Sequence, residues 1–137
     1  LQAAVLRIKL KYLDLDNQKR RNLAAFYCDK LSSFPIVLPI IRSNVESVFH
    51  LFVIQVEKPE SLLNFLKKEG IIAGVHYPLP VHLHPAYENR ILTAQDMSVT
   101  KSLVKKIISL PMYPELSNSD AKKVVDALKG FYNQLDG

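Results

Sequence analysis

The sequence predicts an α+β fold, an α/β layer in which helices cover a small sheet. Two observations lead to this prediction. Four segments repeat apolar residues at helical spacing, and three short apolar runs between them have the length and composition of strands. The predicted order is therefore helix, strand, helix, strand, helix, short strand, helix. With 137 residues, of which 48% are hydrophobic, the chain is long enough to form one domain with its own core.

The first helix is predicted over residues 1–31 and is broadly apolar in its first half. A helix with so wide an apolar face is expected to pack between two partners. Phe34-Pro35 ends the element, because the residue before a proline resists helical dihedrals. The chain begins inside this pattern, with neither a methionine nor a capping residue, so we expect it to be a piece of a longer protein. The apolar positions are Val5, Ile8, Tyr12 and Leu15, flanked by Leu6, Leu10 and Leu13.

The clearest strand is predicted over residues 45–57. Both of its alternating faces are largely apolar, which indicates a central strand that is covered on both sides. His50 interrupts one apolar face and is interpreted as a buried core histidine. A short helix is predicted over 59–69, since Pro59 suits a first turn and Gly70 suits the left-handed position after a helix.

The second half of the chain is predicted to alternate between helix and short extended pieces. Residues 88–97 lack a clear period and are interpreted as a loop, and 99–107 have helical spacing. Residues 108–110 are predicted to form a short strand. The last helix is expected to begin after Ser117, a capping residue with an acidic residue three positions later, and to run to about residue 135.

A second strand, predicted over residues 71–76, leads into a segment that concentrates histidine, tyrosine and proline; we call residues 74–87 the rim loop. Three prolines fix φ in this loop, so it loses little entropy on ordering. A preset loop that carries His and Tyr is suited to contact a ligand. The alternative is a rigid connection with half-buried aromatic side chains, which residue chemistry alone favours.

Residue chemistry alone predicts no metal and no catalytic residue. His82 and His84 would face one side of an extended segment near His76, but the prolines need not aim the three rings together and no HExxH pattern supports zinc. The sequence has no G-x-S-x-G motif, and its four glycines are isolated, so it has no Gly-rich phosphate loop. The lone cysteine, Cys28, lies in a helical pattern and is interpreted as a structural thiol.

Composition narrows the class of partner. The net charge of +5 favours anionic ligands such as phosphates and nucleotides. The basic residues are dispersed and not interleaved with aromatic residues, so no nucleic-acid partner is predicted. No apolar run approaches the roughly 20 residues that span a bilayer, so no membrane partner is predicted. A single cysteine excludes an internal disulfide and makes the cytoplasm the expected location.

Five segments, taken in order and at their approximate spacing, carry a family resemblance that covers nearly the whole chain. They are residues Leu1–Leu10, Phe49–Ile54, Gly74–Pro78, Val81–Tyr87 and Ser109–Leu116. This combination resembles the DegT/StrS-type aminotransferases. Those are fold-type-I enzymes that depend on pyridoxal 5'-phosphate (PLP) and act on nucleotide-linked keto sugars.

The resemblance implies that residues 1–137 are the C-terminal small domain of such an enzyme, with a small, mostly antiparallel sheet. The helix over 1–31 would link this domain to a larger PLP-binding domain outside the sequence. That larger domain carries the family's Schiff-base lysine, so no catalytic or cofactor-binding residue is assigned here and the chain alone is expected to be inactive. The resemblance also implies a homodimer and ping-pong transfer of an amine from an amino acid, usually glutamate, to a nucleotide-diphosphate keto sugar.

The resemblance assigns substrate-binding roles to three residues. His76 and Tyr77 match a His-Tyr-Pro segment near the bound sugar nucleotide, where both side chains can donate hydrogen bonds to diphosphate or sugar oxygens. His82 matches a histidine that often follows in the family, without a defined role. His84 stands where relatives often have glutamine and is given no function.

Other interpretations stay open at this stage. Relatives that lack the lysine are sugar dehydratases, and the position that distinguishes them lies outside this sequence. A regulatory or interaction module that kept the fold without the cofactor site is a second alternative, and a basic nucleic-acid-binding domain is a third. Tyr113 and Pro114 are interpreted as packing residues.

Overall fold

A computed structural model describes residues 1–87, 90–93 and 96–134, and within them it places five α-helices and a two-stranded antiparallel sheet. The predicted α+β class is confirmed. The helices are α1 (Gln2–Lys9), α2 (Leu13–Leu31), α3 (Pro59–Lys68), α4 (Ser98–Leu103) and α5 (Asn118–Asn133). The strands are β1 (Phe52–Gln55) and β2 (Ile107–Leu110), and short 3-10 turns occupy Leu10–Tyr12, Val81–Leu83 and Pro85–Tyr87.

Single bridges extend the narrow sheet on both sides. β1 runs antiparallel to β2, with Phe52 opposite Leu110. Beyond β1, Val37 pairs with Gln55 through two hydrogen bonds of 3.0 Å. Beyond β2, Gly74 pairs with Ser109 in the same antiparallel sense. The second predicted strand, 71–76, is therefore wrong in extent, since one bridge at Gly74 is all of it that joins the sheet.

The predicted strand over 45–57 is also corrected, because its first half is not strand. Phe49 has a φ of 46°, a left-handed conformation that interrupts an extended backbone just before β1 begins at Phe52. His50 consequently lies outside the alternating pattern and is exposed, so its interpretation as a core histidine is wrong. Tyr113 is likewise 47% exposed rather than packed, whereas Pro114 is half-buried.

The two faces of the sheet differ in how fully they are covered. Phe52 and Ile54 point to one face together with Ile108 and Leu110, and all four are buried. Helices α2, α3 and α5 supply most of the rest of this core, and Val56 and Met112 complete it. Burial of each large apolar side chain contributes roughly 1.5–3 kcal/mol. The opposite face is only partly covered, contrary to the expectation of cover on both sides. It carries Val53, Gln55, Ile107 and the buried Ser109.

The helix predictions agree with the structure in most particulars. The predicted helix over 1–31 ends at Leu31 as expected, although a 3-10 turn separates α1 from α2. Pro59 occupies the first turn of α3, and Gly70 has a φ of 75° just beyond its end. The Ser117 hydroxyl caps α5 as predicted. Helix α4 is shorter than predicted, and residues 88–89, 94–95 and 135, which belong to the predicted loop and last helix, lie outside the described residues.

Candidate functional site beside the rim loop

The rim loop leaves the sheet on its partly covered face. The Gly74 amide donates to the Ser109 carbonyl at 3.1 Å, and the Ser109 amide donates to the Gly74 carbonyl at 2.7 Å. Two residues later the chain reaches His76, which is joined to Tyr77 by a cis peptide bond. The bridge therefore fixes where the two predicted substrate-binding side chains leave the sheet.

A cleft of about 570 Å³ lies between the rim loop and the helix α4 region. Residues His76–Val81, His84 and Tyr87 line the rim-loop side. Thr100 of α4, together with Val104 and Ile107, lines the other side. The cleft combines apolar surface with a few polar groups, as sites for small organic ligands commonly do.

Two histidine–tyrosine pairs border the cleft. The rings of His76 and Tyr77 meet edge to face, with centroids 5.9 Å apart, and those of His84 and Tyr87 lie 6.3 Å apart. Tyr77 is 75% exposed, so its phenol is accessible to a ligand. Imidazole and phenol groups both donate hydrogen bonds without carrying a fixed charge, which suits sugar hydroxyl and diphosphate oxygens.

The side chain of His76 is joined to the sheet by a hydrogen bond. Its Nδ1 lies 3.0 Å from the Oγ of Ser109. Ser109 is only 4% exposed and belongs to β2, whereas His76 is exposed. The imidazole is thus anchored at one nitrogen to the interior of the sheet, and its other nitrogen is left for a ligand.

His82 occupies a different place from the other two predicted site residues. It lies in the 3-10 turn Val81–Leu83 and does not line the cleft that His76 and Tyr77 share. Its Nε2 is buried, and the described part of the chain gives that atom no hydrogen-bond partner. The structure therefore brings together two of the three predicted substrate-binding side chains.

Three polar residues that line the cleft, His84, Tyr87 and Thr100, were not assigned a site role from the sequence. His84 and Tyr87 are three residues apart across the turn Pro85–Tyr87, and this spacing places side chains on one side of a 3-10 turn. That spacing is visible in the sequence and indicates that the two side chains lie on the same side of the rim loop. Thr100 comes from α4 and meets the rim loop only through the tertiary fold, so no local pattern marks it.

The donor set of the cleft does not fit a phosphate-bearing cofactor by itself. No lysine or arginine lines it within the residues that the structure describes, so the cationic donors that a cofactor phosphate or a sugar diphosphate usually takes would have to come from outside the cleft. Across residues 1–87, 90–93 and 96–134, no group of three or more His, Cys, Asp or Glu side chains is arranged to hold a metal ion. In the same ranges, no helix combines the length and apolar character needed to cross a bilayer.

Titratable groups with shifted pKa values lie away from the cleft. Burial, and to a smaller degree Tyr113, raises the pKa of Tyr27, whose hydroxyl donates to the Pro111 carbonyl at 3.1 Å. Burial also raises the pKa of the Cys28 thiol, which suits the structural role predicted for it rather than that of a nucleophile. Hydrogen bonding to Ser117, followed by Lys123, lowers the pKa of Asp120.

Comparison with known proteins places this chain in a defined family. The sequence profile of the DegT/DnrJ/EryC1/StrS aminotransferase family matches residues 1–129. The chain is 37% identical over 137 residues to dTDP-3-amino-3,4,6-trideoxy-alpha-D-glucose transaminase of Streptomyces venezuelae, an alignment that covers 99% of this chain and 36% of the relative. It is 42% identical over 130 residues to the erythromycin biosynthesis sensory transduction protein EryC1 of Saccharopolyspora erythraea, covering 94% and 36% respectively.

Structural comparison agrees with these matches. The crystal structure of S. venezuelae DesV in complex with a ketimine intermediate is similar with a TM-score of 0.89 and 38% identity, over 95% of this chain and 35% of that chain. The fold is therefore that of about a third of a fold-type-I aminotransferase. The chain belongs to the DegT/DnrJ/EryC1/StrS aminotransferase family, which confirms the resemblance found from five segments. It spans about 36% of the length of the curated relatives it matches.

Proposed function

We propose that the whole protein containing this chain is a PLP-dependent aminotransferase. It transfers an amino group from an amino acid, with glutamate as the expected donor, to a nucleotide-diphosphate keto sugar. The supporting observation is the alignment of 99% of this chain with a relative named as a dTDP-sugar transaminase. PLP, when bound, supplies the electron sink for carbanion chemistry.

The role of this chain in that reaction is to bind and orient the sugar nucleotide. His76 and Tyr77 lie side by side at an open cleft and present polar groups to it. Their N–H and O–H groups would donate to diphosphate or sugar oxygens, and a charged acceptor makes such bonds stronger. His82 also stays a proposed substrate contact, which requires a ligand group to reach its buried Nε2 or a rearrangement of the turn that holds it.

PLP and its lysine are proposed to belong to a part of the protein outside residues 1–137, so that the isolated chain is inactive. The match of this chain to only 36% of the length of the transaminase relative supports this division. The whole protein is proposed to act as a homodimer, as the family resemblance implies. The cytoplasmic location expected from the single cysteine stays a prediction.

The N-terminal helical segment is proposed to pack against the larger PLP-binding part of the protein. Each residue of α1 is exposed, and so are Leu10 and Leu13 after it. A contiguous apolar surface of this kind commonly marks an interface. The observation supports the sequence-based expectation that the helix over 1–31 links the small domain to a larger body.

The test is an assay of the whole purified protein with PLP, glutamate and a dTDP-linked keto sugar. We expect an amino sugar and 2-oxoglutarate in equal amounts, detected by mass spectrometry. His76→Gln and Tyr77→Phe should raise KM for the sugar nucleotide more than KM for glutamate. Tyr132→Phe, which removes a phenol hydroxyl from a half-buried tyrosine outside the cleft, is the control. Failure to form either product across a panel of nucleotide-linked keto sugars would contradict the proposal.

A regulatory role is the second candidate, because a relative 42% identical to this chain is named as a sensory transduction protein. This alternative expects the whole protein to bind a sugar nucleotide without converting it. Calorimetric binding combined with the absence of amino sugar in the same preparation would favour it. Turnover in that preparation would favour the aminotransferase.

A further inference from the structure

We propose that Ser109 is a positioning residue that holds the neutral ring of His76 with its proton on Nε2, so that the cleft is offered a hydrogen-bond donor. This inference deepens the proposed function and rests on it, since the benefit is to sugar-nucleotide binding by His76. The two residues are far apart in sequence and are brought together by the edge of the sheet.

The register of the sheet places the two side chains in reach of each other. Ser109 pairs directly with Gly74, so His76, two residues further along, lies on the same face as a diagonal neighbour. The resulting distance from Nδ1 to Oγ is 3.0 Å. Because Ser109 is 4% exposed within β2, its hydroxyl is a fixed point to which an exposed ring is tied.

Gly74 makes room for this arrangement. A Cβ at position 74 would lie 3.1 Å from Cε1 of His76 and 3.7 Å from its Nδ1. The ring therefore lies over the glycine, in space that a methyl group would crowd. The missing side chain lets the imidazole fold back along the strand far enough to reach Ser109, and the imidazole meets the Tyr77 ring edge to face.

The position of the proton on the His76 ring follows from the requirement that the buried Ser109 hydroxyl has a hydrogen-bond acceptor. The amide and carbonyl of Ser109 are both bonded to Gly74, and Nδ1 of His76 is the acceptor that the described part of the chain brings to its Oγ. A buried hydroxyl without an acceptor is unfavourable, so the O–H donates to Nδ1. A neutral imidazole that accepts at Nδ1 carries its proton on Nε2. That N–H is complementary to a diphosphate or sugar oxygen.

The test measures the tautomer of His76 directly in the whole protein. With 15N-labelled histidine, long-range 1H–15N spectra distinguish the Nε2–H from the Nδ1–H form, and His76→Gln assigns the signals. We expect the Nε2–H form in the wild type, a mixture in Ser109→Ala, and restoration in Ser109→Thr, which keeps the hydroxyl. Val53→Ala, opposite Ser109 on β1, is the control for lost cross-strand packing and should leave the tautomer unchanged.

Kinetics supply the second readout. Ser109→Ala should raise KM for the sugar nucleotide about threefold to tenfold, the range that one hydrogen bond represents, with a smaller change in kcat. Ser109→Thr should recover most of this loss. An Nδ1–H form in the wild type, or ring signals that do not move in Ser109→Ala, would overturn the inference. If Ser109→Ala does not fold, the wild-type tautomer and the Ser109→Thr spectrum still decide.

The tautomer and KM measurements together distinguish the positioning role of Ser109 from the proposed substrate-binding role of His76. Should Ser109→Ala shift the tautomer while neither it nor His76→Gln changes KM, the positioning role stands and the proposed substrate role of His76 fails. Should His76→Gln raise KM while Ser109→Ala changes neither KM nor the ring signals, the substrate role stands and the positioning role is overturned.

Discussion

At the scale of single residues, the cleft depends on small side chains in the sheet as much as on the aromatic side chains at its rim. Gly74 has ordinary extended backbone here, so it is not needed for an unusual dihedral. What it provides is space, because the His76 ring lies where its side chain would be. Ser109 provides the anchor. The two residues act on the same ring and should not act independently.

Gly74→Ala is therefore expected to push the His76 ring away from Ser109. A new Cβ 3.1 Å from Cε1 forces a shift of a few tenths of an ångström, enough to weaken the bond at Nδ1. KM for the sugar nucleotide should rise about threefold to tenfold. The double variant Gly74→Ala/Ser109→Ala should be no worse than the poorer single variant, because both remove the same interaction.

Gly130→Ala is the matched control for that substitution. Gly130 lies in α5, and its added Cβ would make an ordinary contact of 3.7 Å with Phe65. Because alanine favours a helix interior over glycine by about 0.5–1 kcal/mol, this variant should fold at least as well as the wild type, with unchanged kinetics. Strictly additive losses in the double variant would contradict the coupling between Gly74 and Ser109.

The Cys28 thiol is expected to react slowly with alkylating reagents in the folded protein. Burial raises the pKa of its thiol, so less thiolate is present near neutral pH than for a free cysteine. Alkylation by iodoacetamide at pH 7–8, followed by peptide mass mapping, should label Cys28 more slowly than a cysteine peptide does. Labelling should reach the peptide rate in urea. Equal rates in the native protein and the peptide would contradict the structural role.

At the scale of elements, the helix ends are where sequence and structure agree most closely. The start of α5 was predictable because a cap is local chemistry: the Ser117 hydroxyl accepts from the Asp120 amide at 3.1 Å, and Lys123 pairs with the Asp120 carboxylate at 3.0 Å. The predicted length of β1 was too great, because the residue that interrupts the strand has no local signal in the sequence. Apolar residues continue through 45–51, and no local sequence pattern indicates the left-handed conformation of Phe49 that interrupts the strand.

The α5 cap should make stability depend on acid pH in a defined direction. Ser117→Ala is expected to cost about 1 kcal/mol at neutral pH, measured by urea unfolding. The pKa of Asp120 is lowered in the folded state, first by Ser117 and then by Lys123. The stabilisation of the folded state by the Asp120 carboxylate is therefore fully present above the unfolded pKa near 3.8. It is lost as the pH falls through the lower pKa of the folded state.

The corresponding experiment compares the wild type with Asp120→Asn across that range of pH. The two proteins should differ in stability above pH 5 and converge as the pH approaches 2. Asp126→Asn, a substitution at an exposed carboxylate on the same helix, is the control and should show no such convergence. A difference for Asp120→Asn that does not change with pH would contradict the role of its charge.

At the scale of the whole molecule, the class of fold and two of the cleft residues could be predicted from the sequence. The patterns that indicate them lie within single short segments of the chain. His76 and Tyr77 were recognisable because their segment keeps a family pattern. The contact between His76 and Ser109 spans 33 positions and exists only through the bridge at Gly74, which no local period reveals. Thr100 enters the cleft in the same way, from a helix whose start was predicted to within one residue but whose orientation depends on the tertiary fold.

The exposed N-terminal helical segment is expected to be an interface within the whole protein. Leu10 is 67% exposed, as are the neighbouring Leu6 and Ile8 of α1 at 63% each, although leucine in a helix of a folded domain is ordinarily covered. If this surface packs on the larger part of the whole protein, Leu10→Asp must bury a carboxylate or break the contact. We expect a loss of about 2–4 kcal/mol in the stability of the whole protein, seen as a lower midpoint in urea, with loss of bound PLP absorbance.

Ala25→Asp provides the comparison, since it places the same charge on an exposed position of α2, further along the same helical segment. That variant should remain within about 0.5 kcal/mol of the wild type, as substitutions on a solvent-facing surface usually do. Equal effects of the two variants would mean that the apolar surface around Leu10 is not an interface. A selective effect of Leu10→Asp would place the junction with the PLP-binding part of the protein along this helix.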